Sequence, residues 1–232
     1  MQCRVSKSAF TLIELLLTIV IGSVLILSLV FAVGRVREQA DQVQGAGGMR
    51  NLITAVLLYV GDHNGTLPGP MSNQQWIKRP DANRTQFVWK LHAYLGESGA
   101  PQPGQIVTGI APRRFLRDYD PAVVSPYFAV NNIFYYRDSG ALVRHKPWGA
   151  TGTTYSDLDR TPKRLLSIPE ASRRVAIIDL DAELMSDNNT PVAGTGPTVV
   201  SSPLYGTHRN AAFWDGRVEA LPLNYDLWTK TP

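Results

Sequence analysis

Cysteine and clustered positive charge are nearly missing from this sequence. Its one cysteine, Cys3, lies near the N-terminus, so no disulfide can form within the chain, and the redox compartment stays undetermined. The formal net charge is +4 over 232 residues, and no run of Lys or Arg occurs. A nucleic-acid partner is therefore not expected.

The motifs of the common enzyme classes are missing as well. The sequence has no Gly-x-Ser-x-Gly motif and no phosphate-binding glycine loop, and its four histidines lie far apart. The glycines at positions 45, 47 and 48 follow no predicted strand, which excludes a dinucleotide-binding fingerprint. The sequence predicts a protein that is not an enzyme.

Charge is also scarce in residues 10–33, where Glu14 is the only ionisable side chain among apolar residues. As a helix this segment covers about 36 Å, enough to cross a bilayer core of about 30 Å. A cleaved secretory signal is the alternative, with Val30-Phe31-Ala32 as its cleavage site. A carboxylate in an apolar span costs roughly 2.5–3.5 kcal/mol unless it finds a partner, which favours a retained helix with a use for Glu14.

Residues 7–16 read Lys-Ser-Ala-Phe-Thr-Leu-Ile-Glu-Leu-Leu. This segment resembles the cleavage and methylation motif of type IV pilins and type II secretion pseudopilins. The resemblance implies cleavage by a prepilin peptidase after Ala9, methylation of the new Phe10 amine, and pairing of Glu14 with the N-terminus of a neighbouring subunit. The family usually has Gly in place of Ala9, which predicts slower cleavage here.

The resulting organisation is a leader over residues 1–9, a long helix over 10–62 with its transmembrane part at 10–33, and a globular head over 63–232. Beyond the membrane, six apolar residues follow at helical spacing and predict a stripe against the head. They are Met49, Leu52, Ile53, Val56, Leu57 and Val60. The glycines at 45, 47 and 48 predict a kink or flexible joint. Close packing at these glycines, or a break between two helices, is the alternative.

The head is predicted to be α+β, with a small antiparallel sheet as in pilins. Residues 69–126 are expected to be irregular apart from one short helix at 87–95. Residues 133–144 read as a hairpin, and 174–180 as the buried central strand of the sheet. Residues 186–203 are polar and aperiodic, which is typical of an exposed loop.

The C-terminal residues 207–221 contain Asp215-Gly216 between apolar runs, which predicts a hairpin with a type I′ turn. His208 together with this pair resembles the C-terminal motif of prepilin-like proteins of planctomycete and verrucomicrobial type. The role of that motif is open. His208 and Asp215 could orient a catalytic site, but a structural hairpin with His208 bonded to backbone is preferred.

Asp179, Asp181 and Glu183 alternate along the chain, which could place three carboxylates on one side of an extended segment. Close oxygen ligands suit calcium. A solvated strand end without a metal explains the same pattern.

Together these features predict a pilin or pseudopilin subunit of a type II secretion or type IV pilus-like filament. Its partners would be the prepilin peptidase and methylase, other subunits and the bacterial inner membrane. The resemblance implies a single-pass protein with a cytoplasmic N-terminus and a periplasmic head. A membrane-tethered or secreted head that binds a ligand, with calcium as one candidate, is the alternative.

Overall fold

A computed structural model describes residues 11–80, 84–118, 126–130, 134–139, 141–151, 155–186 and 202–225. The chain divides into two units, Met1–Ala40 and Asp41–Pro232. The first unit consists of the N-terminal part of a long helix. The second contains the remainder of that helix and an α+β head, which confirms the predicted fold class.

The long helix α1 runs without a break over Leu12–Asp62. It is long and apolar enough to cross a membrane, the only such helix in the described part of the chain. It ends where Asn64 and Gly65 adopt positive φ angles of 53° and 81°, and the Gly65 amide donates to the Val60 carbonyl at 2.9 Å. The end predicted near residue 62 is confirmed.

The apolar stripe of α1 forms part of the core of the head. Five of its six predicted members are buried, and Leu57 is half-buried. The buried ones are Met49, Leu52, Ile53, Val56 and Val60. They pack with residues from the sheet and the loops in one hydrophobic cluster, so the prediction of a helix laid against the head is confirmed.

The glycines of α1 serve close packing at two of their three positions. A Cβ on Gly45 would lie 1.8 Å from the Tyr205 hydroxyl oxygen, and one on Gly48 would lie 2.6 Å from the Ile110 carbonyl oxygen. A Cβ on Gly47 would meet nothing within 4 Å. Gly45 and Gly48 therefore let the head approach the helix, as the packing alternative required.

The main sheet has five antiparallel strands in the order β1-β2-β5-β6-β7. Its strands are β1 Gln74–Trp76, β2 Pro126–Val130, β5 Val175–Asp179, β6 His208–Phe213 and β7 Val218–Pro222. Every residue of β5 is buried, and β5 is the third of the five strands. Its Val-Ala-Ile-Ile sequence suits this position, and the predicted central strand is confirmed.

The predicted hairpin near residue 139 is confirmed by the antiparallel pair β3 and β4, which forms a separate sheet. These strands span Phe134–Asp138 and Ala141–His145. The short helix predicted at 87–95 is α2, Phe87–Lys90, followed by a 3-10 turn at His92–Tyr94. The other short helices are α3 Arg113–Asp118, α4 Asp157–Arg160 and α5 Ala182–Ser186.

The expectation that residues 69–126 hold one short helix and no other regular element was wrong, because β1 and α3 lie in this segment. The placement of β1 depends on distant contacts. The buried Gln75 side chain accepts the Phe87 amide at 2.7 Å, and the Trp76 amide donates to the Gln86 side chain at 2.8 Å. The loop predicted at 186–203 lies almost entirely outside the described residues.

Candidate processing and assembly site

Thr11 opens the N-terminal end of α1. Its carbonyl oxygen accepts the amides of Glu14 and Leu15 at 3.1 and 3.2 Å, and its hydroxyl lies 3.4 Å from the Glu14 amide. Thr11 thus takes up amides that the first turn leaves without helical partners. Ala9 and Phe10, the predicted cleavage and methylation residues, lie outside the described residues.

Glu14 lies in the first turn of α1 with its side chain exposed. A carboxylate there interacts favourably with the positive end of the helix dipole. Around it, the apolar side chains from Leu12 onward are exposed along the whole first unit. Such a surface suits lipid or another apolar helix, and within either one Glu14 would need a cationic partner.

The C-terminal motif forms the hairpin β6–β7, as predicted. His208 pairs with Pro222 at the open end of the hairpin, whereas Asp215 lies in the turn at the closed end. Five residue steps along a strand separate the two ends of β6 by roughly 17 Å. The hairpin does not bring His208 and Asp215 together, so they cannot orient one catalytic site.

The type I′ turn predicted for Asp215-Gly216 was wrong. Gly216 has a φ of +91°, but the described non-glycine residues with positive φ are Asn64, Ser139 and Glu170, so Asp215 does not meet the requirement of that turn. The Gly216 amide donates to the Phe213 carbonyl at 3.0 Å, and the Phe213 amide donates to the Arg217 carbonyl at 2.8 Å. This pattern is a three-residue loop with glycine in the left-handed position.

The turn lies against α1. A Cβ on Gly216 would come within 3.0 Å of the Leu57 Cδ1 atom. Trp214 is fully buried beside the turn, with its ring centroid 4.6 Å from that of Trp148. The Asp-Gly pair therefore allows a close approach between the turn and the helix.

The side chain of His208 does not make the expected bond to backbone. Its Nδ1 atom lies 3.3 Å from the Thr207 hydroxyl, and its ring stacks on Tyr205 with centroids 5.7 Å apart. The Nε2 atom is buried and has no hydrogen-bond partner among the described residues. His208 thus contributes mainly ring packing at the open end of the hairpin.

The three carboxylates considered for calcium have different partners. Asp181 is buried and binds the Arg209 guanidinium with both oxygens, at 2.5 Å to Nε and 2.8 Å to Nη2. Glu183 is 54% exposed and lies 3.8 Å from Arg209, while Asp179 accepts the Asn210 amide at 3.0 Å. No group of three or more His, Cys, Asp or Glu side chains within the described ranges is placed to hold a metal. This geometry gives the predicted calcium site no support.

Asp179 belongs to a buried polar cluster beneath α1. Burial raises its pKa to about 7, although hydrogen bonds from Asn210 and Tyr127 act in the opposite direction. The Tyr127 and Tyr205 hydroxyl oxygens lie 3.4 Å apart, and the Tyr205 hydroxyl is the atom nearest to a Cβ built on Gly45. The cluster thus connects the central strand to the helix.

Comparison with protein families finds one match, to the prokaryotic N-terminal methylation motif over residues 4–30. The chain carries a prepilin methylation motif. No curated protein and no solved structure matches the chain. The motif is typical of type IV pilins and pseudopilins, and it supports a pilin-like subunit that is structural rather than enzymatic. It implies processing by a prepilin peptidase and assembly with other pilin subunits, and with α1 it is consistent with membrane anchoring. The resemblance of the C-terminal hairpin to a prepilin-associated motif stays a prediction.

Two buried arginines of the prepilin head were not found from sequence. Arg209 neutralises Asp181, and Arg79 donates to the carbonyl of Val88 and pairs with Glu97. Both are 5% exposed or less. In sequence they look like ordinary surface cations, because their acidic partners lie 28 and 18 positions away.

Proposed function

We propose that this chain is a pilin or pseudopilin subunit of a type II secretion or type IV pilus-like machine. A prepilin peptidase removes residues 1–9, the Phe10 amine is methylated, and the mature chain assembles into a filament through α1. The head, residues 63–232, lies on the periplasmic side of the inner membrane before assembly. The observation that carries the proposal is the methylation motif at residues 4–30, which leads directly into a 51-residue helix.

The physical support comes from the two different parts of α1. Its N-terminal part exposes apolar side chains with one carboxylate, Glu14, whereas its C-terminal part buries one face in the core of the head. An element that is fixed to a head at one end and exposes apolar residues at the other suits helix-to-helix packing in lipid or in a filament. A cleaved signal peptide would need no such continuity into the head.

Glu14 is the residue that we assign to assembly. Cleavage after Ala9 creates an ammonium group at Phe10, and Glu14 of a neighbouring subunit can pair with it. Two opposite charges that enter an apolar environment together offset part of the cost of leaving water, whereas either charge alone carries the full cost. The pairing would set the register between neighbouring helices.

Mass spectrometry of the N-terminal peptide, from protein purified out of native membranes, tests the processing step. The proposal predicts a chain that begins at methylated Phe10. A chain that begins at Val33 would indicate a secreted head, and an intact Met1 would indicate an unprocessed anchor. Either result would overturn the proposal.

Replacement of Glu14 tests assembly separately from processing. E14A is expected to begin at methylated Phe10 like the wild type but to be nearly absent from filaments sheared from cells that also express wild-type subunits. E38A is the matched control, because Glu38 is an exposed carboxylate on the same helix. Recovery of E14A in filaments at the level of E38A would refute the assembly role of Glu14.

A further inference from the structure

The head has an unusual concentration of exposed apolar side chains in one short stretch. Outside α1, the large apolar residues that the structure records as exposed are Tyr155, Leu158 and Leu166, at 37%, 76% and 93%. All three lie within residues 155–166. We call residues 155–174 the basic loop surface, because the same stretch also carries most of the excess positive charge.

Residues 160–174 hold five cations and one carboxylate, Glu170, so their net charge is 5 − 1 = +4. The cations are Arg160, Lys163, Arg164, Arg173 and Arg174. The whole chain also has a net charge of +4, which means that all other residues together sum to zero. The positive charge of the protein is therefore concentrated on this surface.

Little of this charge is neutralised locally. The Lys163 ammonium donates to the carbonyl of Leu158 rather than to a carboxylate. No ion pair of Arg164 or Arg173 is recorded with any of the described residues, and the pair between Arg160 and Asp157 is exposed, with 3.8 Å between the charged atoms. Nearby, burial and then the charges of Lys163 and Arg174 lower the pKa of His145. The positive potential is thus felt by a neighbouring side chain.

The surface is held in place by backbone hydrogen bonds to the end of α1. The Leu67 amide donates to the Lys163 carbonyl at 2.9 Å, and the Leu165 amide donates to the Gly65 carbonyl at 2.8 Å. On the other side, the Arg217 guanidinium donates to the Ser172 carbonyl at 2.6 Å. The surface therefore lies about 30 Å along the helix from Asp41, where the head unit begins.

From this combination we infer that the basic loop surface docks on an anionic lipid surface, with Leu158 and Leu166 entering the headgroup boundary and Lys163, Arg164 and Arg173 pairing with lipid phosphates. Exposed apolar side chains beside unpaired cations suit such an interface. A nucleic acid would use the cations but would leave both leucines in water without gain. Lipid is therefore the better partner for the whole surface.

The test uses the full chain in nanodiscs of zwitterionic lipid and measures its binding to separate vesicles. Vesicles of phosphatidylcholine with about 30% phosphatidylglycerol should bind, and vesicles of phosphatidylcholine alone should not. R164Q/R173Q should weaken binding about 25-fold, since each cation near an anionic surface contributes roughly a factor of five. L166S should weaken binding about tenfold through the lost apolar burial.

R50Q/K90Q and L58S are the matched controls, because they remove two cations and one exposed leucine elsewhere on the head unit. Both should bind like the wild type. Equal binding to both kinds of vesicle would overturn the inference. So would a loss with R164Q/R173Q but none with L166S, or tight binding of a short DNA duplex that L166S leaves unchanged, because either pattern would mark a general polyanion surface. These outcomes do not depend on processing or filament assembly, so the inference stands or falls apart from the proposed function.

Discussion

Replacement of the α1 glycines by alanine should separate close packing from flexibility. The three glycines lie within four positions on one helix, and each alanine adds a single methyl group. At Gly48 the new Cβ would meet the Ile110 carbonyl at 2.6 Å, and at Gly45 it would meet the Tyr205 hydroxyl at 1.8 Å. At Gly47 it would point into open space. The three variants therefore share a helix-propensity gain and differ in the clash.

The expected magnitudes follow from these two contributions. Gly to Ala within a helix stabilises by up to about 1 kcal/mol, which applies to all three sites. Forced overpacking costs about 1–3 kcal/mol, which applies only at positions 45 and 48. G48A should therefore unfold with a free energy about 1–3 kcal/mol below that of G47A, because the backbone carbonyl of Ile110 cannot rotate away. In a chain of this size this difference is roughly 2–4 °C in Tm per kcal/mol.

Denaturant unfolding of the full chain in detergent, followed by the fluorescence of the buried Trp148 and Trp214, measures the free energy of unfolding of the head. G47A is the internal reference for helix propensity. Equal stability of G45A, G48A and G47A would refute the close-packing argument. A uniform gain in all three would instead favour glycines that serve only as a flexible joint.

Two further predictions concern buried charges. R209M should destabilise the head by about 3–5 kcal/mol in denaturant unfolding, because it leaves Asp181 buried without a cation, and the double variant R209M/D181L should recover most of the loss; a silent R209M would contradict this. Burial raises the pKa of Asp179 to about 7 from 3.8, so the unfolded state releases this proton first and the stability that the carboxyl contributes falls as the pH rises from about 4 to about 7. D179N should therefore flatten the pH dependence of Tm over this window, and an unchanged slope would refute the assignment.

The elements that sequence reasoning found are those that local signals define. The apolar run and the Asn-Gly-x-x-Pro stop delimit α1, the Val-Ala-Ile-Ile run identifies β5, and Asp-Gly marks the β6–β7 hairpin. Each signal lies inside the element that it predicts. Local chemistry was sufficient there because the partner of each element did not need to be known.

The missed features depend on partners far away in sequence. β1 contains two glutamines and one tryptophan, a composition with little strand preference, and it is held by pairing to β2 and by side-chain bonds to α2. Asp181 looked like a calcium ligand because Arg209, which lies 28 positions later, could not be placed beside it from sequence. The turn type at Asp215-Gly216 was wrong because a dipeptide does not fix the loop length.

The C-terminal hairpin has a structural role that neither motif reveals alone. Tyr205, just before β6, packs at Gly45, and Gly216, just after β6, packs at Leu57. These two points on α1 are twelve residues apart, or about 18 Å along the helix. Contacts at two separated points fix the rotation of the hairpin about the helix as well as its position, which a single contact could not do. The segment that resembles a C-terminal prepilin motif thus fastens the sheet to the same helix that begins with the methylation motif. Its residues can be needed for a correctly seated head without any chemistry at His208 or Asp215.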